Sequence, residues 1–328
     1  MNQGPVVYLP KKGPNATKSK KKKGKLGLTL DILVVLLVAG ATFAMFRLTN
    51  VTTENQEKNN PDVIAEIKTE DDEEDQKEMD LNPVIKSWMS NDMRDSRQAV
   101  VVYDLDNKKI VGEISPDDVF QMESLYKLIV AYEGYRGLET GTLDGNEMIG
   151  EHTLKQCLDI MVRESDSVCA ERVLEKIGED NIDSVLKNQY GLEKTSIKEL
   201  DTTAKDMAKY LGVLFEHKEI GKDSWAILSD SMLNQPKKHI EGICDGECDF
   251  RQGFARGFSS EAKVYEKVGW KYNGVHWDNF NEAGIVEFTK YKRSFGVVLL
   301  SELITESKTF VRLGETLNEA IPAYLELE

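Results

Sequence analysis

The sequence predicts an α+β fold in which one antiparallel sheet with flanking helices is joined to an all-helical subdomain and preceded by one transmembrane helix. Strand-like runs lie at both ends of the region after residue 82, a helical centre lies between them, and a long apolar run lies near the N-terminus. Strands that enclose a helical centre are typical of one sheet built from both ends of a domain. With 328 residues, of which 40% are hydrophobic, the chain has room for one large domain or two ordinary ones, plus appendages.

The N-terminus combines a basic tail with an apolar run. Residues 1–25 contain eight lysines and no acid, and residues 26–46 contain a single charged residue, Asp31. About 20 apolar residues cross a bilayer as a helix, so residues 26–47 are predicted to form a transmembrane helix. Lysines before this run and only Arg47 soon after it place residues 1–25 in the cytoplasm and the following domain outside the cell membrane. A cleaved signal peptide is the alternative, although its apolar core usually has about 7–15 residues.

Residues 48–82 are predicted to form an acidic disordered linker. They hold few apolar residues and include the acidic run from Thr69 to Asp75, so they bury too little surface to offset the entropy of ordering. All 57 acidic residues of the chain follow residue 25, whereas eight of its 42 basic residues belong to the tail. This balance excludes nucleic acid as a partner of the main domain, because phosphate binding needs lysine and arginine.

Residues 83–328 are expected to form the globular domain. Pro83–Met93 is predicted to be a short helix, since proline is favoured in a first helical turn. Residues 124–217 are predicted to be mainly helical, and Thr309–Leu325 is predicted to be the last helix. The predicted strands are Val100–Leu105, Lys109–Ile114, Ala262–Trp270, Ala283–Thr289 and Ser294–Leu303.

Ser124 and Lys127 are the first candidate catalytic residues. They lie three residues apart at the start of an apolar helix, a spacing that stacks both side chains on one helical face. The helix dipole favours a developing alkoxide there, and a desolvated lysine can lose its proton near neutral pH and act as a base. Taken alone, the pair is a weak signal, because a capping serine followed by a solvated lysine has the same spacing.

Two further motifs follow in an order that is known from one superfamily. Ser165-Asp166-Ser167 lies between two amphipathic helical stretches, and Lys267–Trp270 lies in a strand-like run. With Ser124-x-x-Lys127, these motifs resemble the Ser-x-x-Lys, Ser-Asp-Asn and Lys-Thr-Gly motifs of class A β-lactamases and penicillin-binding proteins. The resemblance extends from Val100 to the C-terminus and implies a β-lactamase/transpeptidase-like fold.

The resemblance implies four catalytic residues. Ser124 attacks an amide carbonyl and becomes the acyl ester, and Lys127 takes the proton of Ser124. Ser165 passes a proton to the departing nitrogen, and Lys267 projects its charge into the site from an edge strand.

The resemblance also implies residues that bind the substrate or support the site. Ser167, Gly269 and Trp270 are the expected substrate-binding residues, and Asp166 is expected to be a buried structural acid. The backbone amides of Ser124 and Trp270 are expected to form an oxyanion hole.

Three departures from the family pattern bear on the substrate and on turnover. Val268 replaces the hydroxyl residue that binds a substrate carboxylate, and Ser167 replaces an asparagine that contacts the lysine and the substrate amide. The glutamate that activates the deacylating water in class A β-lactamases has no counterpart in a matching motif after Ser165. The nearby candidates, Glu193 and Glu199, have the character of solvated surface acids. The missing glutamate therefore implies a long-lived acyl-enzyme, as in penicillin-binding proteins.

The four cysteines suit an exported domain. Cys157 and Cys169 flank the second motif and either pair across it or are simply buried, and Cys244 and Cys248 are close enough for a small disulfide loop. A metal site at the second pair with His239 is an alternative, but no other cysteine pair has zinc-ligand spacing. We expect neither a metal nor a cofactor.

The expected function is that of a membrane-anchored, extracytoplasmic serine hydrolase that cleaves an amide, foremost a β-lactam, through a Ser124 acyl-enzyme. One alternative is a D,D-peptidase-type penicillin-binding protein that acts on peptidoglycan stem peptides, which the missing glutamate favours. A second is a catalytically degenerate homologue that binds peptidoglycan or a protein partner, which Val268 and Ser167 favour.

Overall fold

The computed structural model describes residues 78–92, 96–235, 237–238, 248–249, 253–273, 275–304 and 308–327. The predicted basic tail, the predicted transmembrane helix and most of the predicted linker lie outside these residues, as do the side chains of Cys244, Cys248 and His239. Within the described ranges, no helix is long and apolar enough to cross a membrane.

A five-stranded antiparallel sheet forms the centre of the domain. Strand β1 pairs with β11 in a register that aligns Val101 with Val298, so segments from both ends of the domain lie side by side. This pairing confirms the predicted antiparallel sheet closed by distant segments. In spatial order the strands are β2 (Lys109–Ile114), β1 (Arg97–Asp104), β11 (Arg293–Ile304), β10 (Trp277–Phe288) and β9 (Ala262–Tyr272).

Strand β10 begins at Trp277, six residues before the predicted start at Ala283. The added stretch includes Asn281 and Glu282, polar residues that do not predict a half-buried strand. Both side chains are nevertheless fully buried, and Asn281 Oδ1 accepts a hydrogen bond from Ser301 N at 3.1 Å. Buried polar groups that find partners thus continue the strand where the hydrophobic pattern stops.

Helices cover both faces of the sheet. Helices α1 and α8 pack on one face, where Ile85, Phe295 and Leu317 share a buried cluster. The remaining helices lie on the other face and share a second cluster that includes Leu128 and Val298. The helices are α1 (Asn82–Asp92), α2 (Tyr126–Glu139), α3 (Leu154–Arg163), α4 (Ser167–Ile177), α5 (Glu179–Asn188), α6 (Ala204–Glu216), α7 (Lys222–Leu233) and α8 (Lys308–Leu325).

Short strand pairs lie in the segments that connect the larger elements. The hydrophobic pattern did not predict them, because each spans only two or three residues. They are β3 (Val119–Gln121) with β6 (Asp201–Thr203), β4 (Met148–Ile149) with β5 (His152–Thr153), and β7 (Lys237–Lys238) with β8 (Cys248–Asp249).

The end of the predicted linker belongs to the folded domain. Met79 and Leu81 are buried, and Leu81 N donates a hydrogen bond to Val111 O at 2.7 Å. The predicted linker boundary at residue 82 is therefore too late. These two apolar residues stand immediately after a long acidic stretch, whose composition masks them in the sequence.

Candidate active site

Ser124 lies in a 3₁₀ turn, Glu123–Leu125, between strand β3 and helix α2. Strand β3 is fixed by its pairing with β6 and by Asn281, whose Nδ2 donates to Gln121 O at 2.7 Å. Glu123 has a left-handed φ of 47°, a conformation that a non-glycine residue keeps only when its surroundings enforce it. The half-buried Ser124 is therefore held on a constrained turn at the start of a buried helix.

Gly269 brings edge strand β9 into direct contact with this turn. A Cβ atom at position 269 would lie 2.5 Å from Met122 O and 3.0 Å from Ser124 N. Those distances leave no room for a side chain, so glycine is required by the close approach of two backbones. The backbones of residues 269 and 124 are thus in direct contact, and we call the site beside this contact the cleft.

Lys127 is buried beneath the cleft, with 1% of its surface exposed. Its Nζ donates hydrogen bonds to Ser165 O at 2.6 Å and Ser167 Oγ at 2.9 Å, and it lies 3.4 Å from Ser165 Oγ. Burial lowers the pKa of Lys127 to about 8, although Asp166 and Glu171 oppose the shift. The described hydrogen bonds of Lys127 thus run to the second motif, and none runs to Ser124.

Lys267 reaches the same point from strand β9. It is fully buried, and its Nζ donates to Ser165 Oγ at 3.0 Å and to Val268 O at 2.7 Å. Burial lowers its pKa well below the usual value, and the neighbouring positive charge of Lys127 lowers it further. Ser165 Oγ consequently lies between two lysines that both lose protons more easily than a solvated lysine.

The second motif forms the connection between helices α3 and α4. Ser165 has a left-handed φ of 56°, and Asp166 caps helix α4 by accepting a hydrogen bond from Cys169 N at 2.7 Å. Asp166 is half-buried and not fully buried as expected, and its capping contact is a structural role. Ser167, the first residue of α4, is exposed and contacts Lys127 despite being shorter than asparagine.

A disulfide joins Cys157 of α3 to Cys169 of α4 and closes the connection that carries the second motif. This pairing decides between the two alternatives that the sequence left open for these cysteines. Because both cysteines are buried in the helical cluster, the bond ties the position of Ser165 to the core.

Val268 and Trp270 occupy the other face of strand β9. Side chains alternate along a strand, so these two residues point away from the face that carries Lys267 and Gly269. The ring of Trp270 stacks on Trp277 with 5.1 Å between centroids and packs against the apolar cluster below α1 and α8. The indole of Trp270 therefore serves packing, which leaves its backbone as the part that can face the cleft.

The sequence analysis did not consider Glu171, and its expectation that Glu193 and Glu199 are surface acids is confirmed. Glu193 and Glu199 are exposed on the segment between α5 and β6, and neither contributes to the pKa shift of either cleft lysine. Glu171 acts on Lys127 and also helps to raise the pKa of Tyr126 to about 12, where burial is the larger cause. The signal that could have found it is its spacing of four residues from Ser167 on one helix.

Known proteins share this fold. The sequence profile of the β-lactamase enzyme family, Beta-lactamase2, matches residues 81–321. No curated protein sequence matches the chain. Among solved structures, a β-lactamase from Xanthomonas campestris pv. campestris superposes with a TM-score of 0.63 and 14% identity, over 74% of this chain and 99% of that one.

Penicillin-binding proteins are similar to the same degree. PBP-A superposes with a TM-score of 0.61 and 14% identity, over 75% of this chain and 98% of that one. A PBP-A variant, solved as an acyl-enzyme complex with penicillin G, gives a TM-score of 0.61 and 13% identity over the same shares.

These matches define a serine β-lactamase-like and penicillin-binding-protein-like fold. The chain belongs to the β-lactamase enzyme family.

Proposed function

We propose that this protein is a serine hydrolase that cleaves amide bonds through an acyl-enzyme on Ser124. The observation that carries the proposal is the convergence of two buried lysines on Ser165 Oγ, beside a constrained turn that presents a serine. Burying a lysine is costly, so two such residues at one point indicate a chemical role for the pair.

Lys127 has the properties of the base that activates Ser124. It follows the serine by three residues, and with a pKa of about 8 an appreciable fraction of its side chain is neutral near physiological pH. In the structure its Nζ is bound to Ser165 and Ser167, so it must turn toward Ser124 when a substrate enters.

Ser165 has the geometry of a proton relay. Its hydroxyl lies 3.0 Å from Lys267 Nζ and 3.4 Å from Lys127 Nζ, so it connects both lysines with the opening of the cleft. In this proposal the proton that Lys127 takes from Ser124 passes through Ser165 to the departing nitrogen. Lys267 holds the relay hydroxyl in place from the strand side.

The backbone amides of Ser124 and Trp270 are suited to an oxyanion hole. Gly269 permits the two backbones to approach, and Trp270 follows it directly on β9. Each donor in such a hole contributes about 3 kcal/mol to transition-state stabilisation.

A β-lactam is the amide substrate that we place first. The fold is shared with β-lactamases and with a PBP-A variant that forms an acyl-enzyme with penicillin G. Peptidoglycan stem peptides are the second candidate, because neither Glu193 nor Glu199 acts on the cleft lysines, as expected of an acyl-enzyme without a glutamate base from that segment.

We further propose that residues 26–47 anchor the protein in the cell membrane, with residues 1–25 in the cytoplasm and the enzymatic domain outside. The apolar run and the lysines before it support this placement. The Cys157–Cys169 disulfide is consistent with an oxidising, extracytoplasmic compartment.

Intact mass spectrometry of the full-length protein mixed with a penicillin tests the proposal. We expect an adduct in the wild type and none in Ser124→Ala, with Ser184→Ala on helix α5 as the matched control. A transient adduct with accumulating hydrolysed drug identifies a β-lactamase, and a persistent one identifies a penicillin-binding protein. An adduct that remains in Ser124→Ala would contradict the assignment of the nucleophile.

A further inference from the structure

Glu171 lies on helix α4, one turn after Ser167. Residues four apart share one face of a helix, and helical side chains lean toward the N-terminal end. The hydroxyl of Ser167 is 2.9 Å from Lys127 Nζ, so the side chain of Glu171 leans toward the lysine side of the cleft. Helix α4 thereby places the carboxylate of Glu171 on the same helical face as the hydroxyl that binds Lys127.

Two acids of the described chain act on the charge of Lys127, namely Asp166 and Glu171. Asp166 is engaged in capping α4, because its Oδ1 accepts from Cys169 N at 2.7 Å. Glu171 is exposed to solvent and stands at one end of a surface groove that runs along α4 and α5 toward Asn181. It is therefore the acid that combines access to water with proximity to the catalytic lysine.

We propose that Glu171 is the general base that hydrolyses the Ser124 acyl-enzyme. This inference rests on the proposed function. A water molecule attacks the ester carbonyl carbon and gives its proton to the Glu171 carboxylate. The bond between that carbon and Ser124 Oγ then breaks, Ser124 Oγ receives the proton from Glu171, and the product leaves as a carboxylic acid.

The decay of the acyl-enzyme in the full-length protein tests this assignment. Wild type, Glu171→Gln and Glu175→Gln are acylated with a penicillin, separated from free drug and followed by intact mass spectrometry. Glu175 is the matched control, because it lies one turn further along α4 and pairs with Arg172 at 2.9 Å. We expect Glu171→Gln to acylate at least as fast as the wild type, because loss of the carboxylate lowers the pKa of Lys127 further, and to deacylate about 10²-fold more slowly. Glu175→Gln should behave as the wild type.

Chemical rescue separates a base from a structural residue. In Glu171→Ala, added formate should restore part of the decay rate if the carboxylate itself takes the proton. Equal decay rates in the wild type and Glu171→Gln would overturn the inference, as would a wild-type adduct that never decays. A wild type that forms no adduct would instead contradict the proposed function, and the assignment of Glu171 would then fall as well.

Discussion

The two faces of strand β9 carry different kinds of residues. Lys267 and Gly269 point toward the nucleophile turn, where Lys267 is a buried lysine and Gly269 has no space for a methyl group. On the opposite face, Trp270 packs against Phe280, and Val264 belongs to the same apolar cluster. The comparison shows that one strand holds the fold together with one face and presents chemistry with the other.

The energetic consequences of the two faces are opposite. An apolar side chain buried on the α1 and α8 side stabilises the domain by about 1.5–3 kcal/mol. A lysine buried on the cleft side loses hydration, and this loss lowers the stability of the domain. The same loss of hydration lowers the pKa values of Lys127 and Lys267. Substitutions on the cleft side should therefore impair catalysis, and substitutions on the α1 and α8 side should impair folding.

The largest effect is expected from Lys127→Met. Without its base, acylation by penicillin should fall by about 10²–10⁴-fold, whereas the melting temperature should stay the same or rise because a buried charge is removed. Stopped-flow acylation and calorimetry measure the two quantities, with the exposed Lys155→Met as a control. A large loss of stability with unchanged acylation would make Lys127 a structural residue.

Phe280→Ala, on strand β10, tests the apolar face of the sheet on which α1 and α8 pack. Phe280 is fully buried and stacks on Phe310 with 4.8 Å between centroids, so its truncation should cost about 3–5 kcal/mol of unfolding free energy. The fraction that remains folded should acylate at nearly the wild-type rate, as judged by the adduct per folded molecule. A selective loss of acylation would break the distinction between the faces.

Removal of the disulfide should have an intermediate effect. The Cys157→Ala, Cys169→Ala double variant loses a bond between residues separated by 12 positions, which corresponds to about 3 kcal/mol in the chain-entropy account. Urea unfolding of the variant, and of the wild type with and without reductant, measures this difference. An unchanged midpoint would show that the bond does not constrain the helical side of the cleft.

Gly269→Ala should disturb the cleft through a single methyl group. The new carbon would meet Met122 O at 2.5 Å, so β9 must move away from Ser124, with an overpacking cost of about 1–3 kcal/mol and a slower acylation. Gly212→Ala in helix α6 is the matched control, because its nearest neighbour, Tyr103, is 3.6 Å away and alanine is favoured in a helix. If Gly269→Ala keeps the wild-type acylation rate, the close approach is not needed for the reaction.

The smallest effect concerns pH. A lysine base works in its neutral form, and the pKa of Lys127 is lowered to about 8, so the acylation rate should rise as pH increases through about 8 and then level off. The sign follows from deprotonation of Lys127 above its pKa. Acylation rates measured between pH 6 and about 9.5 test this. An ordinary lysine, with a pKa of about 10.4, would stay mostly charged over that range. A rate that falls over this range would exclude Lys127 as the base.

Most of the fold could be predicted from hydrophobic patterns. The strands Val100–Leu105 and Ser294–Leu303 were found because their runs of β-branched and apolar residues are continuous. The start of β10 was missed because buried Asn281 and Glu282 look like surface residues until their partners are known. The short β3–β6 pair was missed because three residues carry no periodic signal.

The site was predictable where residue type and spacing carry the information. The spacing of Ser124 and Lys127 predicted the first two site residues, and the two later motifs predicted the others. The structure places these residues around one cleft. The half-buried position of Asp166 and the proximity of Glu171 to Lys127 depend on how α4 is docked, which the sequence does not encode locally. A single glutamate on an exposed helix has no pattern that distinguishes it from a solvated charge.

The most direct test of the central claim is burst kinetics of the full-length protein with an activated ester that has no carboxylate. Such a substrate does not need the hydroxyl that Val268 lacks. We predict a burst of about one leaving group per protein, absent in Ser124→Ala and strongly slowed in Lys127→Met. A wild type without a burst, or a burst that persists in Ser124→Ala, would contradict the conclusion that this cleft forms an acyl-enzyme on Ser124.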